Sequence, residues 1–286
     1  MIEKPKEIFE MNNIQLICID VDGTLYNGEK KIPEENITVL QEAHRRGITI
    51  AIATGRMYHY GKLYGETLGI PTKTIASNGA FVKDEEEVLL HEAMDEEDVT
   101  FTVRAIQSSG LYAHFNGWNT LIQQGDLGDG NGYVSANARL PEGEKVTFLA
   151  TEDLEKTLLV KGGILKAIVF SNGDHAALAK LKRVFQNHPR LQTASSSKDN
   201  LEIFRKDVNK ASGIEALAKK LGIDKAQIMA IGDEENDLPM IRYAGLGIAM
   251  GNATDAVKKA AHAITLTNDE AGVAYAVKKY VFQEAF

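Results

Sequence analysis

The stretch IQLICIDVDGTL, residues 14–25, ends an apolar run in two carboxylates one residue apart, Asp20 and Asp22, followed by Gly23 and Thr24. Read as a strand end, residues two apart face the same side. Two acids so placed raise each other's pKa unless a cation lies between them. An oxygen-rich site of this kind suits Mg2+, which keeps several waters and binds through few carboxylates plus a phosphate. Gly23 permits a sharp turn after the pair, although an ordinary Asx turn also selects Asp and Gly. The run IMAIGDEENDLPM, residues 228–240, repeats the pattern, with Asp233 ending an apolar strand and Asn236 and Asp237 at a helix entrance. One acid would serve as an N-cap. A second strand ending in clustered acids predicts a shared cation, with Asp233 completing a Mg2+ site with Asp20 and the region of Asp22.

Two other spots offer anion chemistry. In IAIATGR, residues 50–56, Thr54-Gly55 stands between a strand and a helix. A hydroxyl and backbone N–H groups there make an anion cradle; a Thr-capped turn accounts for them equally well. Lys210, in DVNKASGIEAL, starts a helix, where the macrodipole disfavours a cation by roughly 0.3–1 kcal/mol. It is placed to hold a phosphate and offset the carboxylates, or it is a solvated surface lysine. The seven histidines show no ligand spacing, so no zinc site is assigned. GLGIAMGNATDA, residues 245–256, lacks G-x-G-x-x-G spacing and reads as a tight turn capped by Thr254 or Asn252. The aromatics of FNGW (115–118) and Tyr133 read as packing rather than substrate contacts.

The elements that must position these residues follow from the hydrophobic pattern. Residues 14–20, 33–47, 48–54, the segment YHYGKLYGETLG and 72–80 alternate strand, helix, strand, helix, strand. That order predicts a parallel sheet with right-handed crossovers. The same grammar resumes with a helix over 209–222, strands at 226–232 and 246–250, a strand at HAITLT and a closing helix. Between them, after the charged turn KDEEEV (83–88), the chain reads as a second α/β unit with strands of more exposed character and a Gly-rich polar stretch at 123–135. The expected fold class is therefore α/β, with residues 1–83 and 204–286 forming a core and 84–203 an inserted domain.

The bulk numbers limit the function classes. The chain has 286 residues, 44% hydrophobic and 25% charged, with a formal net charge of −8. An acidic balance disfavours non-specific binding to nucleic acid or anionic membrane. No apolar run is long enough to span a bilayer, and no apolar leader precedes the first strand, so cytoplasmic residence is the expectation. The one cysteine, Cys18, sits inside an apolar run and reads as a buried core thiol.

Asp20-Val-Asp22-Gly-Thr, Thr54-Gly55-Arg56, Lys210 and Gly232-Asp233-Glu-Glu-Asn236-Asp237 occur in the order and strand-end placement of the haloacid dehalogenase superfamily, which the chain resembles over all but residues 1–13. SNGA (77–80), the large insert, VNK and GDEENDLPM…GIAMGNA are similar to its Cof-like phosphatase subfamily. The resemblance implies a Rossmann-like, doubly wound core carrying a C2-type cap. It implies Mg2+-dependent hydrolysis of small phosphorylated metabolites, such as sugar phosphates or phosphorylated cofactors, through an aspartyl-phosphate. In that scheme Asp20 is the nucleophile and Asp22 the general acid and then base. The Val21 backbone N–H, Thr54, Gly55, Lys210 and Asn236 hold the phosphoryl group. Mg2+ is bound by Asp20, the Asp22 carbonyl and Asp233, and Asp237 orients the metal shell. A phosphomutase on the same scaffold is the alternative, disfavoured by the large cap. A non-catalytic phospho-metabolite sensor would need no nucleophile-plus-acid pair, and a D-x-D glycosyltransferase would leave Lys210 and Asp233 unexplained.

Overall fold

A computed structural model describes residues 13–125, 132–195 and 197–284. The first twelve residues, and 126–131 of the Gly-rich stretch, lie outside the described residues. In chain order the elements are β1 (Leu16–Ile19), α1 (Glu34–Arg45), β2 (Thr49–Ala53), α2 (Tyr58–Leu68), β3 (Lys73–Ala76), β4 (Phe81–Asp84), β5 (Glu87–His91) and α3 (Glu96–Ser109). Then come β6 (Tyr112–Asn116), β7 (Thr120–Gln124), α4 (Gly132–Ala138), β8 (Thr147–Thr151), α5 (Leu154–Lys161), β9 (Lys166–Phe170), α6 (His175–Phe185), β10 (Leu191–Ala194) and β11 (Asn200–Arg205). The chain closes with α7 (Lys210–Leu221), β12 (Ile228–Gly232), α8 (Leu238–Tyr243), β13 (Leu246–Ala249), α9 (Asp255–Ala260), β14 (Ala263–Ile264) and α10 (Gly272–Tyr280).

These elements group into two compact units. One comprises the described residues up to Ile52, Leu68–Lys73 and those from Ala218 on; the other comprises Ala53–Thr67 and Thr74–Leu217. In the first unit the strand order is β14-β13-β12-β1-β2, and every pairing is parallel. The four residues of β1 are fully buried, as are those of β12. Strands buried on both faces carry continuous apolar runs, which is why IQLICI and IMAIG lack alternation. Cys18 lies in this core, and burial pushes its thiol far above the ordinary value. Helix α1 begins with Glu34 and Glu35 and ends with His44 and Arg45, matching its macrodipole. Its buried Asn36 accepts the Ala274 N–H at 2.9 Å, satisfying one of the first-turn donors of α10.

The second unit holds the antiparallel run β3-β4-β5, with KDEEEV forming the β4–β5 hairpin, and a six-stranded sheet in the order β10-β11-β9-β6-β7-β8. Within that sheet only β7 and β8 are parallel neighbours. Register places Ala113, Phe115, Ile122, Ala167, Val169, Leu201 and Ile203 on one face, where they join a single buried cluster with Val99, Val103 and Ile106 of α3, Leu158 of α5 and Leu181 of α6. The alternate residues His114, Asn116, Gln123, Lys166 and Glu202 form the opposite face. These too are buried. Leu121 on that face packs with Met57, Tyr60 and Leu63 at and in α2, and Phe204 packs with Tyr58 and Phe81.

This corrects one expectation. The strands of this region read as exposed because they alternate with polar residues, yet β6, β7, β9 and β11 are buried on both faces. β7 was not foreseen, its last two residues having been read into the polar stretch 123–135; β10 and α4 were also not foreseen. The aromatics do pack: Phe115 is in the helix-side core, and Trp118 stacks on Phe81 at 5.4 Å and 10°.

The polar face carries a pH signature. Burial pushes the His114 imidazole from 6.5 down to about 4, with the Lys166 charge a smaller contribution in the same direction. The folded state refuses a proton that the unfolded chain accepts below about 6.5. The stabilising contribution is thus complete above that pH and is lost as pH falls toward 4, a change on the order of 3 kcal/mol. Urea unfolding of wild type and His114→Gln across this window is expected to show a steeper loss in wild type; parallel slopes would contradict it.

Candidate active site

In the first unit the chain leaves β1 at Ile19, and Asp20 donates its N–H to the Ile231 carbonyl at 3.0 Å on β12. Residues 20–26 then turn tightly: Leu25 N–H bonds the Asp20 carbonyl at 3.2 Å and Tyr26 N–H the Val21 carbonyl at 2.9 Å. The period-two argument therefore does not describe the two acids. Asp20 already lies past the strand, and the turn sends the side chains to different surroundings. Asp20 is buried and Asp22 exposed.

The acid that joins Asp20 comes from the other strand end. Asp20, Asp233 and Asp237, all buried, each offer a carboxylate oxygen within 4.8 Å of the others. Thr24 Oγ1 donates to Asp233 Oδ1 at 2.7 Å. A buried hydrogen bond to a charged group contributes about 1.5–3 kcal/mol. Gly23 has φ +91°, and a Cβ there would stand 2.2 Å from Asp233 Oδ2. Only glycine fits both the backbone and the approach. Asp237 Oδ2 accepts the Asp233 N–H at 2.9 Å and the Glu234 N–H at 3.1 Å. Its carboxylate thus fixes the backbone from which Asp233 projects. Asn236 is half-buried in the same short turn.

The donor set fits a hard divalent cation. Buried carboxylates at this spacing repel one another unless positive charge is placed among them, and an all-oxygen set of this kind matches Mg2+. Asp20 and Asp233 are brought together as the sequence predicts. Asp237 is gathered with them, and the Asp22 side chain is not.

Sequence reasoning missed the clamp around this corner. Asn252 Nδ2 donates to the Gly23 carbonyl at 2.8 Å, and Asn252 Oδ1 accepts the Asn268 N–H at 3.0 Å. Asn268 Nδ2 donates to the Tyr26 carbonyl at 2.9 Å. Thr254 caps α9, as expected of the GLGIAMGNATDA turn, and its N–H also bonds the Asp233 carbonyl at 3.0 Å. The Asn252 side chain serves the Gly23 turn instead of a cap.

The second unit holds the anion-binding candidates. Thr54 is buried just past β2, and its Oγ1 accepts the Arg56 N–H at 3.1 Å. Asn78 N–H bonds the Thr54 carbonyl at 3.0 Å and Ser77 N–H the Arg56 carbonyl at 2.9 Å. Ser77, Asn78 and Gly79 are three consecutive residues with positive φ, at 50°, 57° and 93°. Such conformations cost energy in non-glycine residues and cluster at functional sites. A Cβ on Gly79 would lie 1.9 Å from the Asn209 carbonyl oxygen and 3.1 Å from the Lys210 N. The turn therefore abuts the start of α7, where Asn209 Oδ1 caps the N–H groups of Ala211 at 3.0 Å and Ser212 at 3.3 Å. Lys210 is fully buried, so it is not a solvated surface lysine. The sequence did not reveal that Ser77 Oγ is buried without a hydrogen-bond partner among the described residues. Nor did it reveal that Lys166 Nζ donates to the Gly55 carbonyl at 2.6 Å and to Glu202 Oε2 at 2.8 Å.

A family model for haloacid dehalogenase-like hydrolases matches residues 17–277. The chain is 32% identical to phosphatase YwpJ of Bacillus subtilis, covering 93% of this chain and 99% of that protein. It is also 32% identical to the B. subtilis 5-amino-6-(5-phospho-D-ribitylamino)uracil phosphatase YcsE, over 94% of this chain and 96% of that one. Among solved structures it resembles a haloacid dehalogenase-like hydrolase from Bacteroides thetaiotaomicron, with TM-score 0.78, 28% identity, and 93% of this chain and 99% of that one covered. No helix among the described residues is long and apolar enough to cross a membrane.

Gly23→Ala tests the acidic corner. The new Cβ is expected to displace the Asp233 carboxylate, weakening Mg2+ binding by about tenfold or more, as read by calorimetric titration. Unchanged affinity would separate Asp233 from the metal.

Proposed function

The chain belongs to the haloacid dehalogenase-like hydrolases, and from that premise we propose that it is a Mg2+-dependent phosphatase of small phosphorylated metabolites acting through an aspartyl-phosphate. The enzyme class rests on family membership and on phosphatase relatives over nearly the whole chain. The observation that carries the metal dependence is the gathering of buried Asp20, Asp233 and Asp237 from strand ends more than 200 positions apart.

In this reading the two acids divide the work. Asp20 Oδ attacks phosphorus as the ester P–O bond breaks, and Asp22, exposed beside it in sequence, gives its proton to the leaving alcohol. Asp22, now a carboxylate, takes a proton from water as the water oxygen attacks the aspartyl-phosphate. Inorganic phosphate leaves and Asp20 is regenerated. One group serves as acid and then base because alcohol and water occupy the same place in turn. The covalent step divides one hard displacement into two. The Val21 N–H, Thr54, Gly55, Lys210 and Asn236 orient the phosphoryl oxygens, since phosphoryl transfer depends on positioning and charge neutralisation more than on bonding to protein. Mg2+, held by Asp20, the Asp22 carbonyl and Asp233, with Asp237 fixing the backbone of that corner, would supply charge that lets a carboxylate approach an anionic phosphate.

In this scheme residues 84–203 are the C2-type cap that selects the substrate, and residues 1–83 and 204–286 are the catalytic core. Three relatives at 30–32% identity are named as phosphatases of 5-amino-6-(5-phospho-D-ribitylamino)uracil, which supports a small phosphorylated metabolite as the substrate.

Purified protein is expected to release phosphate from p-nitrophenyl phosphate and from sugar phosphates with Mg2+, and chelation is expected to abolish release until Mg2+ is restored. Asp22→Asn should lower kcat by ~10²–10⁴-fold, and Asp20→Asn at least as much. Turnover persisting in Asp20→Asn, with contaminating phosphatase excluded, removes Asp20 as nucleophile. An isomerised sugar phosphate without free phosphate would point to a mutase.

A further inference from the structure

Three consecutive backbone carbonyls just past β2, those of Thr54, Gly55 and Arg56, are each held by a donor from elsewhere in the second unit. The Thr54 carbonyl accepts the Asn78 N–H at 3.0 Å, and the Arg56 carbonyl accepts the Ser77 N–H at 2.9 Å. Both donors belong to the left-handed turn Ser77–Gly79. The Gly55 carbonyl, between them, takes a charged donor instead, Lys166 Nζ from β9 at 2.6 Å. A bond from an ionised donor is roughly twice as strong as a neutral one. Lys166 is itself anchored, since Glu202 Oε2 on β11 accepts from Lys166 Nζ at 2.8 Å and from Asn78 Nδ2 at 3.0 Å. Lys166, Glu202 and Asn78 are all more than nine-tenths buried. A Cβ on Gly55 would stand 3.1 Å from Asn78 Oδ1, so the two turns are in close contact.

These bonds fix which way the peptide groups face. No peptide bond among the described residues is cis, and in a trans peptide the N–H points opposite to the carbonyl. Holding the Thr54 carbonyl on Asn78 therefore turns the Gly55 N–H away from Asn78. Holding the Gly55 carbonyl on Lys166 turns the Arg56 N–H away from Lys166, and that N–H bonds Thr54 Oγ1 at 3.1 Å. The ammonium polarises the same peptide and strengthens its N–H as a donor. A hydroxyl that accepts at its oxygen still has one proton to give. The chain of contacts thus runs from a buried charge on the sheet, through one peptide group, to the Thr54 hydroxyl.

We propose that Lys166 is a positioning residue for phosphoryl transfer: with Glu202 and Asn78 it sets the Gly55 peptide so that the Thr54 hydroxyl and the Gly55 N–H face the phosphoryl oxygens before substrate arrives. This rests on the phosphatase reading, because it takes Thr54 and Gly55 as part of the phosphoryl cradle. Lys166 touches no reacting atom in this scheme and acts through the backbone it holds. A purely structural pair behaves differently, since a buried ion pair replaced by uncharged groups of similar size often leaves folding intact and would leave the chemistry intact with it.

The test compares wild type with Lys166→Met/Glu202→Gln, which removes both charges together and keeps an acceptor for Asn78. With Mg2+, kcat/KM is expected to fall about 10–10²-fold for both p-nitrophenyl phosphate and D-glucose 6-phosphate, and orthophosphate affinity, read by calorimetry, by about tenfold or more. Urea unfolding establishes that the variant is folded under the assay conditions. A folded variant with wild-type kcat/KM and wild-type orthophosphate affinity makes the pair purely structural and overturns the proposal. A loss confined to the glucose ester also overturns it, because the side chains would then read the leaving alcohol. Amide hydrogen exchange at Arg56 in wild type without ligand is expected to be strongly protected. Exchange there at the rate of an open chain overturns the proposal whether or not the variant folds. Wild type that binds orthophosphate with Mg2+ yet hydrolyses neither ester would sink the phosphatase reading alone, and the positioning role is then judged on orthophosphate affinity.

Discussion

Carboxylates gathered out of water repel one another, and the local architecture of the first unit answers that repulsion. Asp20 and Asp233 leave adjacent parallel strands, β1 and β12, at the same end. Asp237 then uses Oδ2 to bind the two N–H groups that precede and follow the Asp233 carbonyl carbon. Thr24 fixes one oxygen of Asp233, and the missing side chain of Gly23 makes room for the other. Each contact orients a charge or removes a freedom that the repulsion would exploit. A rigid acidic corner of this kind binds a hard cation without reorganising, which is the structural content of preorganisation.

The second unit answers a complementary constraint. Three consecutive left-handed residues, Ser77–Gly79, are held by bonds to Thr54 and Arg56 and pressed against the Asn209 carbonyl. Lys210 is buried at the helix start that Asn209 caps. A buried ammonium is costly unless it is hydrogen-bonded or paired with negative charge. Lys166 and Glu202 form a buried ion pair at 2.8 Å. Removing one partner of such a pair costs about 3–5 kcal/mol.

Legibility in the sequence followed the range of the interaction. Apolar runs that stop at Asp20 and Asp233 show locally, and so do the alternation of strands and helices, the KDEEEV hairpin and the Thr254 cap. Asn252 and Thr24 left no local trace, because their bonds to Gly23 and Asp233 cross 229 and 209 positions. The strand pattern did not separate Asp20 from Asp22, one buried and the other exposed just past the end of β1. The polar residues of β6, β7, β9 and β11 read as solvent-facing because alternation alone cannot distinguish water from a buried polar surface. Lys210 showed the same ambiguity. Its position at a helix start was visible, but its complete burial was not.

The parallel pairing of β1 with β12 has a consequence for biosynthesis. β1 finds β2 after one short crossover, yet its other edge waits for residues 228–232, more than 200 positions downstream. During translation that edge, wholly apolar and still lacking hydrogen-bond partners, remains available to other chains until most of the protein has left the ribosome. The acidic corner cannot exist before the same moment, so a ribosome stalled upstream of Ile228 carries a nascent chain with an open sheet and no means of gripping a cation.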